Sequence, residues 1–282
     1  MKTNKWLTTG ISIIALSAMI LSACGTKDGG SANGGSGGAK PAASASVLDD
    51  IKSRGKLVVG VKYDTKLFGL KDPASGKVEG FDVDIAKALA KQIVGDENKL
   101  ELKEVTSKTR IPMLDNKEID MIIATMTVNE ERKKQVDFSD IYFKAGQSLL
   151  VKKGSPIKSI ADVKKGTKVL AVKGSTSVDN VKKQAPDATV LEFDNYQDAF
   201  SALKAGQGDT LTTDNAILYG MAAQDPGFEV VGDPFTDEPY GIAIKKGESA
   251  LLEKVNEALK TLQSSGEYNK IYEKWIGKAP IK

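Results

Sequence analysis

The sequence predicts an α/β fold, and three observations carry the prediction. Short apolar runs of strand length alternate with stretches whose apolar residues recur every three or four positions. Residues 47–282 are enough chain for two compact units. The composition, 40% hydrophobic and 27% charged, is that of an ordinary globular protein.

The elements follow in order. Residues 56–61, Lys-Leu-Val-Val-Gly-Val, read as a first buried strand. Residues 80–84 lead into a helix with Ile85, Leu89 and Ile93 on one face. Residues 100–105 alternate apolar with charged side chains, as a half-exposed strand does. Pro112 fits the first turn of a short helix through Leu114, and residues 119–124 form a further buried strand. Asn129 can cap a helix whose first turn carries Glu130 and Glu131, the charges preferred there. A second series begins near Leu149, with a helix at 160–163, a strand at 168–172 and a Gly174-Ser175-Thr176 turn. A helix with Tyr196, Phe200 and Leu203 and a strand into 211–214 come next. After residues 241–244 there are two amphipathic helices, one with Leu251, Val255, Leu259 and Leu262, the other with Tyr268, Ile271 and Tyr272. Gly266 separates them.

Residues 1–23 follow the plan of a secretory signal: Lys2 and Lys5, then an apolar run including Leu7, Ile11, Ile13, Ile14 and Leu16. The run falls short of the roughly 20 residues a spanning helix needs, and Ser and Thr interrupt it. It ends in Leu21-Ser22-Ala23-Cys24, which resembles the lipobox of bacterial lipoproteins. That resemblance implies a diacylglycerol on Cys24 and cleavage ahead of it. Residues 24–46 are mostly Gly, Ala and Ser, the composition of a flexible tether reaching roughly 25 Å.

Several function classes are excluded by composition. Loss of residues 1–23 leaves 38 basic and 37 acidic side chains, so no electrostatic case for nucleic acid exists. Cys24 is the single cysteine and there is no histidine, so no intramolecular disulfide and no ordinary zinc or redox-metal cluster is expected. The same absence removes the commonest general base and any Ser-His-Asp or Cys-His site. No cofactor is expected.

Six stretches carry a family resemblance. They are Gly80-Phe81-Asp82-Val83-Asp84-Ile85-Ala86; residues 120–134; Val136-Asp137-Phe138-Ser139 followed by Tyr142; Ala171-Val172-Lys173-Gly174-Ser175-Thr176; Tyr240-Gly241-Ile242-Ala243; and residues 268–275. In this order they resemble the solute-binding proteins of polar amino-acid ABC importers (family 3), nearest the glutamate/aspartate-binding branch. The resemblance implies a two-lobe, type II periplasmic-binding-protein fold with a hinge of two crossing segments. Lobe 1 is expected from residues 47–146 and 237–282, lobe 2 from 147–236, with the ligand closed between them.

The resemblance also implies a ligand set. Arg132 is the expected partner of the α-carboxylate, since a guanidinium presents two parallel N–H donors where lysine cannot. Its alternative is an exposed helix charge beside Glu131 or Gln135. Thr125 and Thr127, two apart at a strand end, are expected to point the same way and to meet the ammonium and carboxylate. They could equally be two β-favouring residues. Ser175 and Thr176 open a helix whose free N–H groups favour an anion, a role compatible with plain capping. Asp214 is the implied partner of the ammonium, with an N-cap role as the alternative. Lys62 and Arg110 resemble the acidic-ligand branch, because a second buried carboxylate needs compensating positive charge; either could instead be a surface charge.

The expected protein is therefore a lipid-anchored binder on the extracytoplasmic face of a Gram-positive cell membrane. It would take glutamate, with aspartate second and glutamine as the alternative, and deliver it to an ABC permease as a monomer. An arogenate- or prephenate-type dehydratase on the same fold is the rival enzyme reading, and a sensory domain the third.

Overall fold

Two five-stranded sheets, each packed against helices, organise residues 46–277, the part of the chain that the computed structural model describes. The expected signal segment, Cys24 and the tether as far as residue 45 lie outside the described residues. The chain enters with α1 (Val47–Arg54), β1 (Leu57–Val61) and the short strands β2 (Asp64–Thr65), β3 (Gly69–Lys71) and β4 (Val78–Glu79). Next come α2 (Phe81–Val94), β5 (Leu100–Glu104), α3 (Arg110–Asp115), β6 (Met121–Ile122), α4 (Glu130–Lys133) and β7 (Val136–Ala145). They are followed by β8 (Gln147–Lys152), β9 (Lys168–Val172), α5 (Thr176–Gln184), β10 (Thr189–Phe193) and α6 (Tyr196–Lys204). The chain continues through β11 (Thr210–Asp214), α7 (Asn215–Ala222), β12 (Phe228–Val231), β13 (Glu238–Lys245), α8 (Ser249–Ser264) and α9 (Glu267–Ile276).

The first sheet has the order β5-β1-β6-β13-β7 and the second β10-β9-β11-β8-β12. β1 lies between two parallel partners and is buried along its whole length, which accounts for its unbroken apolar run. β5, at the edge, keeps partial exposure, as its alternation predicts. β2, β3 and β4 form a small antiparallel sheet of their own.

The chain passes from the first sheet to the second through Gly146 alone, between β7 and β8. It returns through residues 232–237. A Cβ on Gly146 would stand 2.6 Å from the Thr236 carbonyl oxygen, so the two crossing strands touch and only glycine fits. The result is a two-lobe fold in which α8 and α9 return to the first lobe.

An aromatic cluster ties that return together. The Phe68 ring lies edge-on to Phe143 at 5.2 Å and to Tyr240 at 5.9 Å, and Phe81 meets Tyr268 and Tyr272 of α9. Asp84 adds polar fixing, accepting from Lys274 Nζ at 2.6 Å and Trp275 Nε1 at 2.8 Å. Gly266, at φ 76°, makes the left-handed turn that separates α8 from α9.

Three elements depart from the sequence expectation. The strand over 119–124 pairs only at Met121–Ile122, because the backbone then turns to place Thr125 at φ 45°. The helix at 160–163 is a single 3-10 turn, Ile160–Asp162, held by a Ser159/Asp162 capping box. The helix capped by Asn129 is one turn long.

Phe68 is fully buried, and its aromatic neighbours leave little room for collapse. Phe68→Ala is expected to lower the unfolding free energy by about 3–5 kcal/mol, measured by urea denaturation.

Candidate functional site

Segments at or after the ends of β1, β5, β6, β9 and β11 carry the expected residues. Lys62 follows β1 directly and is fully buried. Its Nζ donates to Ser107 Oγ at 2.9 Å and stands 5.1 Å above the centre of the Tyr196 ring. Burial pushes the ammonium down to about 8; Asp64 opposes that fall, and the like charges of Arg110 and Arg132 add to it.

Arg110 opens α3 and is buried. Its Nη1 donates to the Ala124 carbonyl at 2.7 Å, while its buried Nε has no partner among the described residues. Burial and then Arg132 push its guanidinium down to about 9, so it remains charged at neutral pH. Both cations are thus interior groups, and the surface-charge alternative for them does not hold.

Arg132 is buried too, which removes the reading of it as an exposed helix charge. Asn129 Oδ1 accepts its backbone N–H at 2.9 Å and fixes the turn that carries it. Its Nη1 donates to the Thr127 carbonyl at 2.8 Å and its Nη2 to the Gly174 carbonyl, in the other lobe, at 3.2 Å. Burial lowers its pKa, and Asp214 and Glu238 oppose that.

Thr125 and Thr127 line the same turn but do not sit as strand alternation requires. The strand has already ended, and Thr125 occupies the left-handed region, so i to i+2 spacing no longer places two side chains on one side. The backbone of Thr125 is what is used: its N–H donates to Asp82 Oδ2 at 2.9 Å. Thr127 pairs with Tyr240 as an isolated bridge.

From the second lobe, Ser175 caps α5 in position only, since its hydroxyl donates back to the Val172 carbonyl at 2.6 Å. Thr176 Oγ1 donates to Glu238 Oε2 at 2.8 Å. Asp214 precedes α7 but its side chain caps nothing. Instead Oδ2 accepts the Tyr240 hydroxyl at 2.6 Å, and Oδ1 is buried with no partner among the described residues. Burial first, then Glu238, raise its carboxyl to about 7 against the pull of Tyr240 and the two arginines.

Sequence reasoning missed the acids and tyrosines that complete this site. Asp82 is fully buried, accepts the Tyr142 hydroxyl at 2.9 Å, and is raised by burial to about 7 while Lys62 and Arg110 pull it back. A signal for it existed: Asp82 shares the apolar face of α2 with Ile85, Ala86 and Leu89, where a charge has no solvent reason to be. Glu238, also buried, accepts from Asn180 Nδ2 at 2.7 Å as well as from Thr176. Tyr196 is buried with its hydroxyl 3.1 Å from Thr213 Oγ1. Neither Glu238 nor Tyr196 has a local pattern that marks it.

The arrangement concentrates three buried cations and three buried acids, Asp82, Asp214 and Glu238, around one cleft, with free hydrogen-bonding capacity on Arg110 Nε and Asp214 Oδ1. It is suited to holding a small molecule that carries both charge signs. Among the described residues no group of three or more His, Cys, Asp and Glu could hold a metal ion.

Comparison with known proteins agrees with that geometry. A family model described as bacterial extracellular solute-binding proteins, family 3, matches residues 57–278. The ABC transporter glutamine-binding protein GlnH of Bacillus subtilis (strain 168) is 60% identical over 271 residues, covering 96% of this chain and 97% of that protein. The glutamine-binding protein of Geobacillus stearothermophilus is 62% identical over 244 residues, covering 86% and 92%. Among solved structures, an ancestral arginine-binding protein bound to glutamine is similar with a TM-score of 0.75 and 50% identity, covering 80% of this chain and 99% of that one.

The Asp82 carboxyl has a folded value above its ordinary 3.8, so its contribution to stability is full below 3.8 and is lost as pH rises through about 7. Asn at this position can accept from the Thr125 N–H and donate to the Tyr142 hydroxyl. Asp82→Asn is therefore expected to gain stability relative to the parent between pH 5 and pH 8, as read from urea midpoints at the two pH values.

Proposed function

The chain belongs to the bacterial extracellular solute-binding proteins, family 3, and from that premise we propose that it captures L-glutamine between its lobes and presents it to an ABC importer. The observation that carries the reading is the placing of Arg132 and Asp214 in one buried cleft, from opposite lobes, with Asp214 Oδ1 left without a partner among the described residues. An α-amino acid offers a carboxylate and an ammonium at fixed separation. Arg132 and the start of α5, at Ser175 and Thr176, take the carboxylate. Asp214 Oδ1 takes the ammonium, and the turn of Thr125 and Thr127 forms the floor.

The side chain of the ligand then points toward Lys62, Arg110 and Tyr196. An acidic ligand was expected because those cations seemed to need a counter-charge. The cleft supplies it already: Lys62, Arg110 and Arg132 are opposed by Asp64, Asp82, Asp214 and Glu238, all of which act on them electrostatically. A net-neutral zwitterion fits that balance, whereas a glutamate would add an anion. The carboxamide oxygen of glutamine can accept from Lys62 and Arg110 without bringing charge. Relatives of 60% and 62% identity that bear the name of glutamine-binding proteins support the same choice.

The rest of the protein's role follows from the family. Its relatives are binding proteins of transport systems, so the dehydratase reading is set aside. The family is extracellular, and the lipid on Cys24 belongs to the proposal as the device that keeps a monomeric binder near its permease on a Gram-positive membrane.

Isothermal calorimetry on unfolded, dialysed and refolded protein tests the ligand. Glutamine should bind at least about 100-fold tighter than glutamate, roughly the 3 kcal/mol cost of an uncompensated charge at a buried site. Equal or tighter glutamate binding would restore the acidic assignment. Arg132→Ala should weaken any amino acid by about 100-fold or more, since one member of a buried charge pair is lost. Unchanged affinity would remove Arg132 from the site.

A further inference from the structure

We propose that Asp64 is a positioning residue that holds the closed cleft shut, through a clasp made by the β2–β3 hairpin across the two lobes. The inference rests on the capture of an amino acid proposed above, but it uses none of the side chains assigned to the ligand; of Tyr196 only the backbone N–H takes part.

The hairpin belongs to the first lobe. It follows β1 and Lys62 directly, and Gly69 packs so close to the Lys62 carbonyl oxygen that a Cβ would stand 2.2 Å from it. At its start, the Thr65 hydroxyl donates to Asp64 Oδ1 at 2.8 Å and orients the carboxylate. Asp64 Oδ2 then accepts the backbone N–H of Tyr196 at 2.7 Å.

Tyr196 is the first residue of α6, in the second lobe. Its N–H is one of the donors a helix start leaves without an internal partner, and a negative charge is favoured there. A second bond is made at the same place, from Gln197 Nε2 to the Asp64 carbonyl oxygen at 2.9 Å. Farther along the hairpin, the Lys66 carbonyl oxygen faces Gly220 of α7, where an added Cβ would come within 2.7 Å. Leu67, a non-glycine residue at φ 77°, makes the turn between these contacts, and its carbonyl accepts the Phe81 N–H at 2.7 Å. The hairpin is thus anchored on α2 in its own lobe and reaches both α6 and α7 of the other.

Contacts between lobes form on closure, after a ligand has docked on one lobe. They act on release rather than on encounter. Asp64 also stands nearest in effect among the acids that keep Lys62 protonated, so the clasp and the proposed side-chain subsite share one carboxylate.

The test compares Asp64→Ala, Asp64→Asn and Gly220→Ala in the full chain, using radiolabelled glutamine. Asp64→Ala should release glutamine about tenfold faster or more, with association within about twofold of the parent. Asp64→Asn keeps an acceptor oxygen and should stay within about threefold. Gly220→Ala improves helix propensity yet should also speed release, because the Cβ pushes the hairpin away. Hydrogen exchange of the segment 194–198 at saturating ligand reads the closed state directly, and there the Tyr196 amide should exchange about tenfold faster or more in Asp64→Ala. Unchanged release in both Asp64→Ala and Gly220→Ala overturns the clasp, as does a loss of affinity carried wholly by association. If the parent fails to bind glutamine, the ligand assignment falls, and unchanged protection of Tyr196 in Asp64→Ala, read with whichever amino acid the parent does bind, overturns the clasp separately.

Discussion

Lys62, Arg110 and Arg132 lie buried in one cleft, and much of what surrounds them follows from the cost of keeping three positive charges away from water. Each would lose its charge or destabilise the fold if it faced apolar walls alone. Each instead meets an oxygen: the Ser107 hydroxyl for Lys62, and the carbonyls of Ala124, Thr127 and Gly174 for the two arginines. The carbonyls of Ala124 and Thr127 are presented by the backbone after β6, which leaves the sheet there at the expense of a threonine in the left-handed region, and that of Gly174 comes from the second lobe. The irregular turn at 123–127 and the buried cations therefore depend on one another.

The acids are the other half of the same constraint. Asp82 reaches the cations from the apolar face of α2, while Asp214 and Glu238 reach them from the second lobe and the hinge side. Burial raises Asp82 and Asp214 to about 7, which holds both carboxyls near their titration point at neutral pH. A site balanced in this way favours a ligand that brings one charge of each sign. Tyr240 and Tyr142 supply hydroxyl donors to the two carboxylates, and the aromatic cluster that seats their rings links the site to the core of the first lobe.

Much of this was legible in the residue order. The buried strand at 57–61, the apolar face of 85, 89 and 93, the cap at Asn129 and the break at Gly266 each follow a local rule of burial, hydrogen bonding or backbone freedom. Of the ligand set named from the family resemblance, Arg132 meets Gly174 of the second lobe. The expectation of an anionic ligand took Lys62 and Arg110 without the acids that the fold sets around them. Apart from Asp64, their counter-charges are distant in sequence: Asp82 lies 20 positions from Lys62 and Asp214 lies 104 from Arg110, and no local window contains those pairs. The paired orientation expected of Thr125 and Thr127 failed for a similar reason, because strand alternation was extended past the point where the cations take over the backbone.

The sequence by itself determined the class of fold and the exclusion of histidine and multi-cysteine chemistry, and it singled out the cations and Asp214 as candidate ligand partners. These depend on composition, periodicity and motif order, which are properties of short stretches. Only the tertiary structure decided how the charges balance, why Asp214 leaves an oxygen free instead of capping α7, and how the β2–β3 hairpin reaches α6 and α7. Those outcomes are set by distances between segments far apart in the chain, and electrostatic balance is a sum over neighbours in space.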